Sequence, residues 1–132
     1  MHIKETKIKI ENKVASDVKV LVISAYLESI IFNFVINAIK YRSLDRAPKL
    51  SFRSKYIDSF VMLEIQDNGL GIDLEKYGHK LFGMYKTFYR HKEARGIGLF
   101  ITKNQIEAMG GKIEVESTPN IGTTFKIFLK HA

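Results

Sequence analysis

The chain has 132 residues, a formal charge of +7, 45% hydrophobic and 27% charged residues, and no cysteine. That length holds one domain with a real core, and the composition is that of a globule, not of a disordered tail. The lack of cysteine excludes a disulfide framework and thiolate metal sites, and there is no apolar run of membrane-spanning length and no signal-peptide layout, so a cytoplasmic location without membrane contact is expected. Lysines and arginines are scattered from Lys4 to Lys130 without a dense block, which reads as a generally basic surface, with nucleic-acid binding as a lesser alternative.

Along the chain, residues 7–10 alternate, 12–16 offer turn residues and 18–23 alternate less cleanly, which predicts an N-terminal hairpin. Ser24 is placed to cap a helix over 25–42. A polar loop at 43–48 leads to two alternating strands, 49–56 and 59–66, joined by a turn at Ile57-Asp58. A short helix is predicted within 74–81, and residues 97–109 have helical spacing that stops at Gly110-Gly111. Strands at 112–117 and 123–129 flank a turn at 118–122. This order predicts an α+β domain, a two-layer α/β sandwich whose mixed, mostly antiparallel sheet carries helices on one face.

The first predicted helix is apolar along Leu27, Ile30, Ile31, Phe34, Val35, Ala38 and Ile39, thickened by Phe32 and Ile36, so protein must nearly surround it. Asn33 and Asn37 fall four apart on its remaining face, with Lys40 and Tyr41 one turn on. A buried amide without a partner costs about 1–3 kcal/mol. A lone one would cap a loop. The whole set better fits a polar pocket that wants an oxygen donor for a metal and a cation for phosphate.

In the strand 59–66, Val61, Leu63 and Ile65 share the core face, and Asp67 continues their parity. An inward carboxylate at a strand end needs donors. The exocyclic amine of a purine is one, with Gly69 and Gly71 letting a flat ring approach; a plain Asp-Asn-Gly turn is the simpler alternative. Gly96-Ile97-Gly98, at the predicted start of the last helix, offers free amides to an anion. Arg90, Lys92 and Arg95 precede it in a basic stretch that either folds over phosphates or is solvated. Thr123 shares an inward face with Phe125, Ile127 and Leu129, where its hydroxyl either satisfies a backbone group or joins Asp67 at a ligand ring. His2, His79, His91 and His131 lack metal or triad spacing, and there is no Gly-x-x-x-x-Gly-Lys-Ser/Thr loop.

Over about 7–130 these motifs resemble the catalytic, ATP-binding domain of sensor histidine kinases, in the GHKL superfamily shared with gyrase, MutL-type repair proteins and a heat-shock chaperone. Asn33-Phe34-Val35-Ile36-Asn37-Ala38-Ile39-Lys40-Tyr41 resembles the N box. By that match Asn37 would ligate Mg²⁺ bridging the phosphates, Lys40 would contact phosphate, and Asn33 and Tyr41 would lie at the nucleotide. Asp67-Asn68-Gly69-Leu70-Gly71 resembles the first glycine box, with Asp67 as adenine reader. Leu81-Phe82-Gly83-Met84-Tyr85-Lys86-Thr87-Phe88 resembles the F box, and Tyr89-Arg90 suits the lid position from which an arginine approaches the γ-phosphate. Arg95-Gly96-Ile97-Gly98-Leu99 resembles the second glycine box and Gly122-Thr123-Thr124-Phe125 the last motif. The resemblance implies catalytic roles for Asn37, Lys40 and Arg90.

Ala94 stands where the second glycine box commonly has another glycine, and the lid at 89–95 is short. The superfamily's ATPases and serine-kinase anti-sigma factors carry glutamate four residues before the metal asparagine; here that position is Asn33, which supplies no general base. The resemblance therefore implies that Mg-ATP donates its γ-phosphoryl group to a histidine on a separate dimerisation domain of the same kinase, with a response regulator downstream and no nucleic acid. No hairpin with a His-Glu pair precedes Lys7, so a domain excised from a larger kinase is expected, inactive without its phosphoacceptor, with action on a partner in trans as the alternative. Alternative readings are a non-catalytic ATP-sensing module, which the short lid suits, and an ATP-hydrolysing switch, against which Asn33 speaks.

Overall fold

The alternating stretches pair into a single sheet. The structure, a computed structural model, describes residues 8–77, 81 and 93–132. Strands β1 (Lys9–Lys13), β2 (Lys49–Ile57), β3 (Phe60–Asp67), β4 (Lys112–Thr118) and β5 (Gly122–Lys130) lie side by side in the order β1-β2-β3-β5-β4. β1 runs parallel to β2, and the other pairs are antiparallel. The helices are α1 (Ser24–Lys40), α2 (Leu74–Tyr77) and α3 (Glu93–Ala108). The mixed, mostly antiparallel sheet with a helical layer is the architecture the alternation predicts.

Side chains alternate across a strand, so one face of each strand meets the helices. Leu50 and Phe52 of β2, Leu63 and Ile65 of β3, and Phe125, Ile127 and Leu129 of β5 form that inner face. α1 covers it with Ile30, Phe34, Val35, Ala38 and Ile39, and α3 with Leu99 and Ile106. Phe34 of α1 lies against Phe125 of β5, ring centroids 4.9 Å apart at 47°. Phe32 departs from the expected apolar seam, being 50% exposed. The outer face is polar, with ion pairs such as Lys126 to Glu116 at 3.3 Å.

Several expectations are corrected. The N-terminal hairpin does not form: β1 pairs in parallel with β2, and within 18–23 there is only an isolated bridge from Val20 to His131. A parallel partner requires a long crossover, and α1 provides it. The valines at 14, 20 and 22 pack against the core, so their pattern records burial of an extended segment and not a ladder. Ser24 is not the N-cap. Ile23 holds that position without a side-chain cap, because the chain is still hydrogen-bonded to β5 at Leu21 (N to Lys130 O, 2.7 Å) and turns only afterwards. α1 ends at Lys40, two residues early, and α2 closes at Tyr77 within the predicted 74–81 span. The β2–β3 turn sits one residue later than expected, with Asp58 in a left-handed conformation (φ 54°) that aspartate tolerates better than isoleucine. α3 begins at Glu93, not Ile97, so Gly96 and Gly98 lie inside its opening turns. Its end is as expected: Gly110 N and Gly111 N donate to Glu107 O and Ile106 O at 3.0 Å.

On the outer side of the parallel pair, Glu11 meets Lys49 at 3.2 Å, Lys9 at 3.4 Å and Lys13 at 3.9 Å. The Lys49 ammonium, followed by Lys9 and Lys13, holds the Glu11 carboxyl below its usual value. A depressed carboxylate stabilises the fold above its unfolded pKa, and that contribution is lost as pH falls through the folded one. Glu11→Gln is therefore expected to lower the melting temperature at pH 7 and to leave it unchanged in strong acid. Melting curves of both chains across pH check this, and high salt should shrink the difference.

Candidate functional site

The site is built where the C-terminal end of β3 meets the C-terminal end of α1. Asp67 is the last residue of β3 and pairs with Thr123 of β5. Its parity points it inward, and the chain supplies donors at once: Oδ1 accepts from Gly69 N at 2.9 Å and from Thr123 N at 3.3 Å. The carboxylate is thus held in place by backbone amides from the following loop and from β5. Thr123 is buried, and its hydroxyl lies 2.7 Å from Ser117 Oγ. Ser117 Oγ donates to Gly122 O at 2.9 Å and accepts from Ile72 N at 2.8 Å, so Thr123 must donate to it. Of the two roles open to Thr123, the hydroxyl pairs with Ser117 while its amide joins Asp67.

The loop after Asp67 is fastened to the end of α1. Leu70 N donates to Tyr41 O at 2.9 Å. A Cβ at Gly69 would come within 2.6 Å of that Tyr41 oxygen, so the residue is small because backbone passes against backbone. At Gly71, φ is +73° and a Cβ would run into the Thr118 carbonyl. Both glycines therefore have an architectural reason. Tyr41 is buried at 5% exposure, and Lys40 is exposed.

On the facing side, α1 and α3 meet through polar groups. Asn33 Nδ2 donates to Thr102 Oγ1 at 3.2 Å, and Thr102 is fully buried. Asn37 is buried, and its Nδ2 has no partner among the described residues. Gly98, one turn before Thr102, lies opposite Asn33, and Leu99 behind it is buried. Arg95, Gly96 and Ile97 are placed in the first turns of α3, which moves the expected free amides of the helix start upstream of the glycines. Arg90 and the F box beyond Leu81 lie outside the described residues; Leu81 itself is fully buried. A hollow of about 460 Å³ reaches the edge of the site: Asp67, Asn68, Ser117 and Gly122 border it together with outer-face residues such as Ser51, Arg53, Gln66 and Thr124.

The residues that sequence reasoning missed are mostly ties. Asn68 Oδ1 accepts from Lys49 N and its Nδ2 donates to Ala47 O, both at 2.9 Å. Arg46 reaches several carbonyls of the site loops. Ser117 and Thr102 did leave a signal, the first by sharing inward parity with Ile113 and Val115, the second by following Gly98 at helical spacing.

The sequence profile of the histidine kinase-, DNA gyrase B- and HSP90-like ATPases matches residues 23–132. The chain belongs to that family. It is 33% identical over 107 residues to the sensor protein RprX of Bacteroides fragilis, covering 79% of this chain and 21% of RprX. The catalytic domain of the histidine kinase ThkA superposes with a TM-score of 0.80 at 24% identity, covering 97% of this chain and 83% of that one. Full-length ShkA in complex with AMPPNP matches with a TM-score of 0.78 at 24% identity, covering 99% of this chain and 27% of ShkA. The fold is the catalytic-domain fold of histidine kinases, and the chain spans only about a fifth of RprX.

Within this kinase fold, Gly98 is a test case. A Cβ there would lie 3.9 Å from Asn33 Cγ, an ordinary contact, so helix packing does not demand glycine. Gly98→Ala is expected to stabilise the ligand-free chain by about 0.5–1 kcal/mol through helix propensity. Urea unfolding checks this; a destabilised variant would show that packing after all requires the bare backbone.

Proposed function

We propose that the chain binds Mg-ATP and, as the catalytic domain of a sensor histidine kinase, donates the γ-phosphoryl group to a histidine on a separate phosphoacceptor domain, with a response regulator downstream. The observation that carries this reading is the Asp67 carboxylate, held inward by Gly69 N and Thr123 N beside the end of α1. An anchored carboxylate suits the exocyclic amine of adenine as a charge-assisted acceptor. The AMPPNP bound by ShkA, whose fold this chain shares, is in keeping with an ATP ligand.

The donor set fits a magnesium ion. Mg²⁺ takes oxygen ligands and commonly uses one or two from protein, with water and phosphate completing the shell. Asn37 offers a buried carboxamide whose Nδ2 has no protein partner among the described residues, so its orientation is not dictated from within. Bound there, the ion would neutralise phosphate charge as it develops. Lys40 would add a cation at the phosphates, and Arg90 would approach from the lid side. Gly98, with no tight contact at its Cβ position among the described residues, would let phosphate oxygens come close to the start of α3.

Phosphoryl transfer is catalysed mainly by positioning and electrostatics. The unprotonated nitrogen of a neutral imidazole attacks with its lone pair and forms the N–P bond as the bond to the ADP oxygen breaks; the proton on the other ring nitrogen then leaves to solvent. No general base is needed for that acceptor. Water or serine would need one, and at the base position Asn33 is an amide tied to Thr102. The acceptor domain, the response regulator and work on the cytoplasmic side belong to this proposal; among the described residues no helix is long and apolar enough to cross a membrane.

Asp67→Asn is expected to weaken ATP binding at least about tenfold, equivalent to about 1.5–3 kcal/mol for a lost charge-assisted bond. Calorimetry with unchanged affinity would refute the purine role. Mixing the chain with a histidine-bearing helical hairpin from the same kinase and γ-labelled ATP should label the hairpin. Binding without labelling would favour an ATP-sensing module, and steady phosphate release by the chain alone would favour a hydrolytic switch.

A further inference from the structure

Arg46 lies in the loop between α1 and β2, outside every motif assigned above, yet its guanidinium crosses to both loops that surround Asp67. Nε donates to Asn68 O at 2.6 Å, and Nη2 to Gly69 O at 2.8 Å, Asn120 O at 2.8 Å and Ile121 O at 3.3 Å. Carbonyls from two segments converge on one planar cation, a geometry that the rigid fork of arginine can serve and the single ammonium of lysine cannot. The gripped loops are also bonded to each other, Asn120 N to Leu70 O at 2.6 Å.

The connection to Asp67 runs through a single peptide unit. Asn68 O and Gly69 N belong to the same planar amide. Arg46 Nε donates to its oxygen, and its N–H donates to Asp67 Oδ1 at 2.9 Å. A charged donor on the carbonyl fixes the plane and polarises the N–H toward the carboxylate. The second donor is built in the same way. Gly122 O and Thr123 N share an amide whose oxygen accepts from Ser117 Oγ and whose N–H donates to Asp67 Oδ1. Asp67 is thus aimed by two amide planes, one set by a cation and one by a hydroxyl.

We propose that Arg46 is a positioning residue for nucleotide recognition, setting the orientation of the Asp67 carboxylate through the Asn68–Gly69 amide and thereby the preference for adenine over guanine. Adenine turns an amine toward such a carboxylate, whereas guanine turns a carbonyl oxygen that the carboxylate repels. Discrimination therefore depends on the carboxylate staying where the amine meets it. This inference rests on the nucleotide-binding reading above and adds a residue to it.

The test uses the 132-residue chain with Arg46→Lys and Arg46→Met, ATP and GTP titrations, and amide hydrogen exchange without nucleotide. In both variants ATP affinity is expected to fall about tenfold while GTP affinity changes by less than about twofold, so selectivity falls about tenfold. Exchange at Gly69 N is expected to quicken about tenfold in Arg46→Lys, with a smaller change at Thr123 N, whose amide plane Ser117 still holds. Lysine keeps the charge and most of the bulk, so it reports on the fork even if the methionine variant does not fold. Equal loss for ATP and GTP, or a lower melting point with selectivity intact, would reduce Arg46 to a loop clasp and overturn the inference. Unchanged exchange at Gly69 N in Arg46→Lys would overturn the amide route. An unsubstituted chain that binds neither nucleotide would sink the underlying reading, and Arg46's role in selectivity with it.

Discussion

A carboxylate that strand parity turns inward at the end of β3 is the constraint from which the site is built. Asp67 follows Val61, Leu63 and Ile65 in parity and is half-buried, so its charge is partly removed from water and gains from nearby donors. The chain supplies backbone amides: Gly69 N from the loop just beyond, Thr123 N from the paired strand. Each amide is steadied from its carbonyl side, by Arg46 and by Ser117. Ser117 in turn accepts from Ile72 N, which brings the end of the glycine loop into the same network. A buried polar network of this kind is favourable only when all of its members are satisfied, which ties the two loops, β4 and β5 into one arrangement.

The helical side of the site is built on the opposite plan. Asn33 and Thr102 join α1 to α3 through a side-chain hydrogen bond, while Asn37 keeps a buried Nδ2 without a partner among the described residues. Such an amide costs about 1–3 kcal/mol in an otherwise well-packed helix. Gly98 adds to the contrast, since among the described residues nothing packs tightly where its Cβ would be, and a helix-interior glycine weakens α3 by about 0.5–1 kcal/mol. Two local departures from the most stable choice at one place suit a ligand that completes the site. On the proposed reading, the end that meets the purine is satisfied by the protein and the end that meets the phosphates is left for the nucleotide and its ion.

The sheet was legible because period-two alternation with one buried face leaves an unambiguous trace. Strands β2 to β5 fall within a residue or two of where Leu50–Phe52, Val61–Leu63–Ile65, Ile113–Val115 and Phe125–Ile127–Leu129 place them. The same signal misled at the N-terminus, where valines at 14, 20 and 22 pack on the core without forming a ladder. Alternation reports burial of one face, and pairing is only its commonest cause. Helix starts were less legible. Ser24 had the right chemistry one residue too late, and α3 runs upstream of its glycines because glycine weakens a helix without forbidding it. Asp67 and Asn37 could be singled out because each breaks an apolar pattern. Arg46 could not, since an arginine in a polar loop breaks no pattern and its partners are carbonyls brought close only by the fold.

Recognition and chemistry are thereby separated within this domain. The groups proposed to read the base are fixed by backbone geometry in the ligand-free chain, so their selectivity needs no rearrangement of the sheet. The groups proposed to serve the phosphates sit on helices joined by few polar contacts, and none of the described ones is a base. Asn33 shows why the missing base is not simply an open position: its amide donates to a fully buried threonine, and a carboxylate there would remove that donor and bring a charge into the seam between α1 and α3. On the proposed reading, this arrangement suits an acceptor that attacks without first losing a proton, because Asn33, at the position where a base would activate water, is already used to join the two helices.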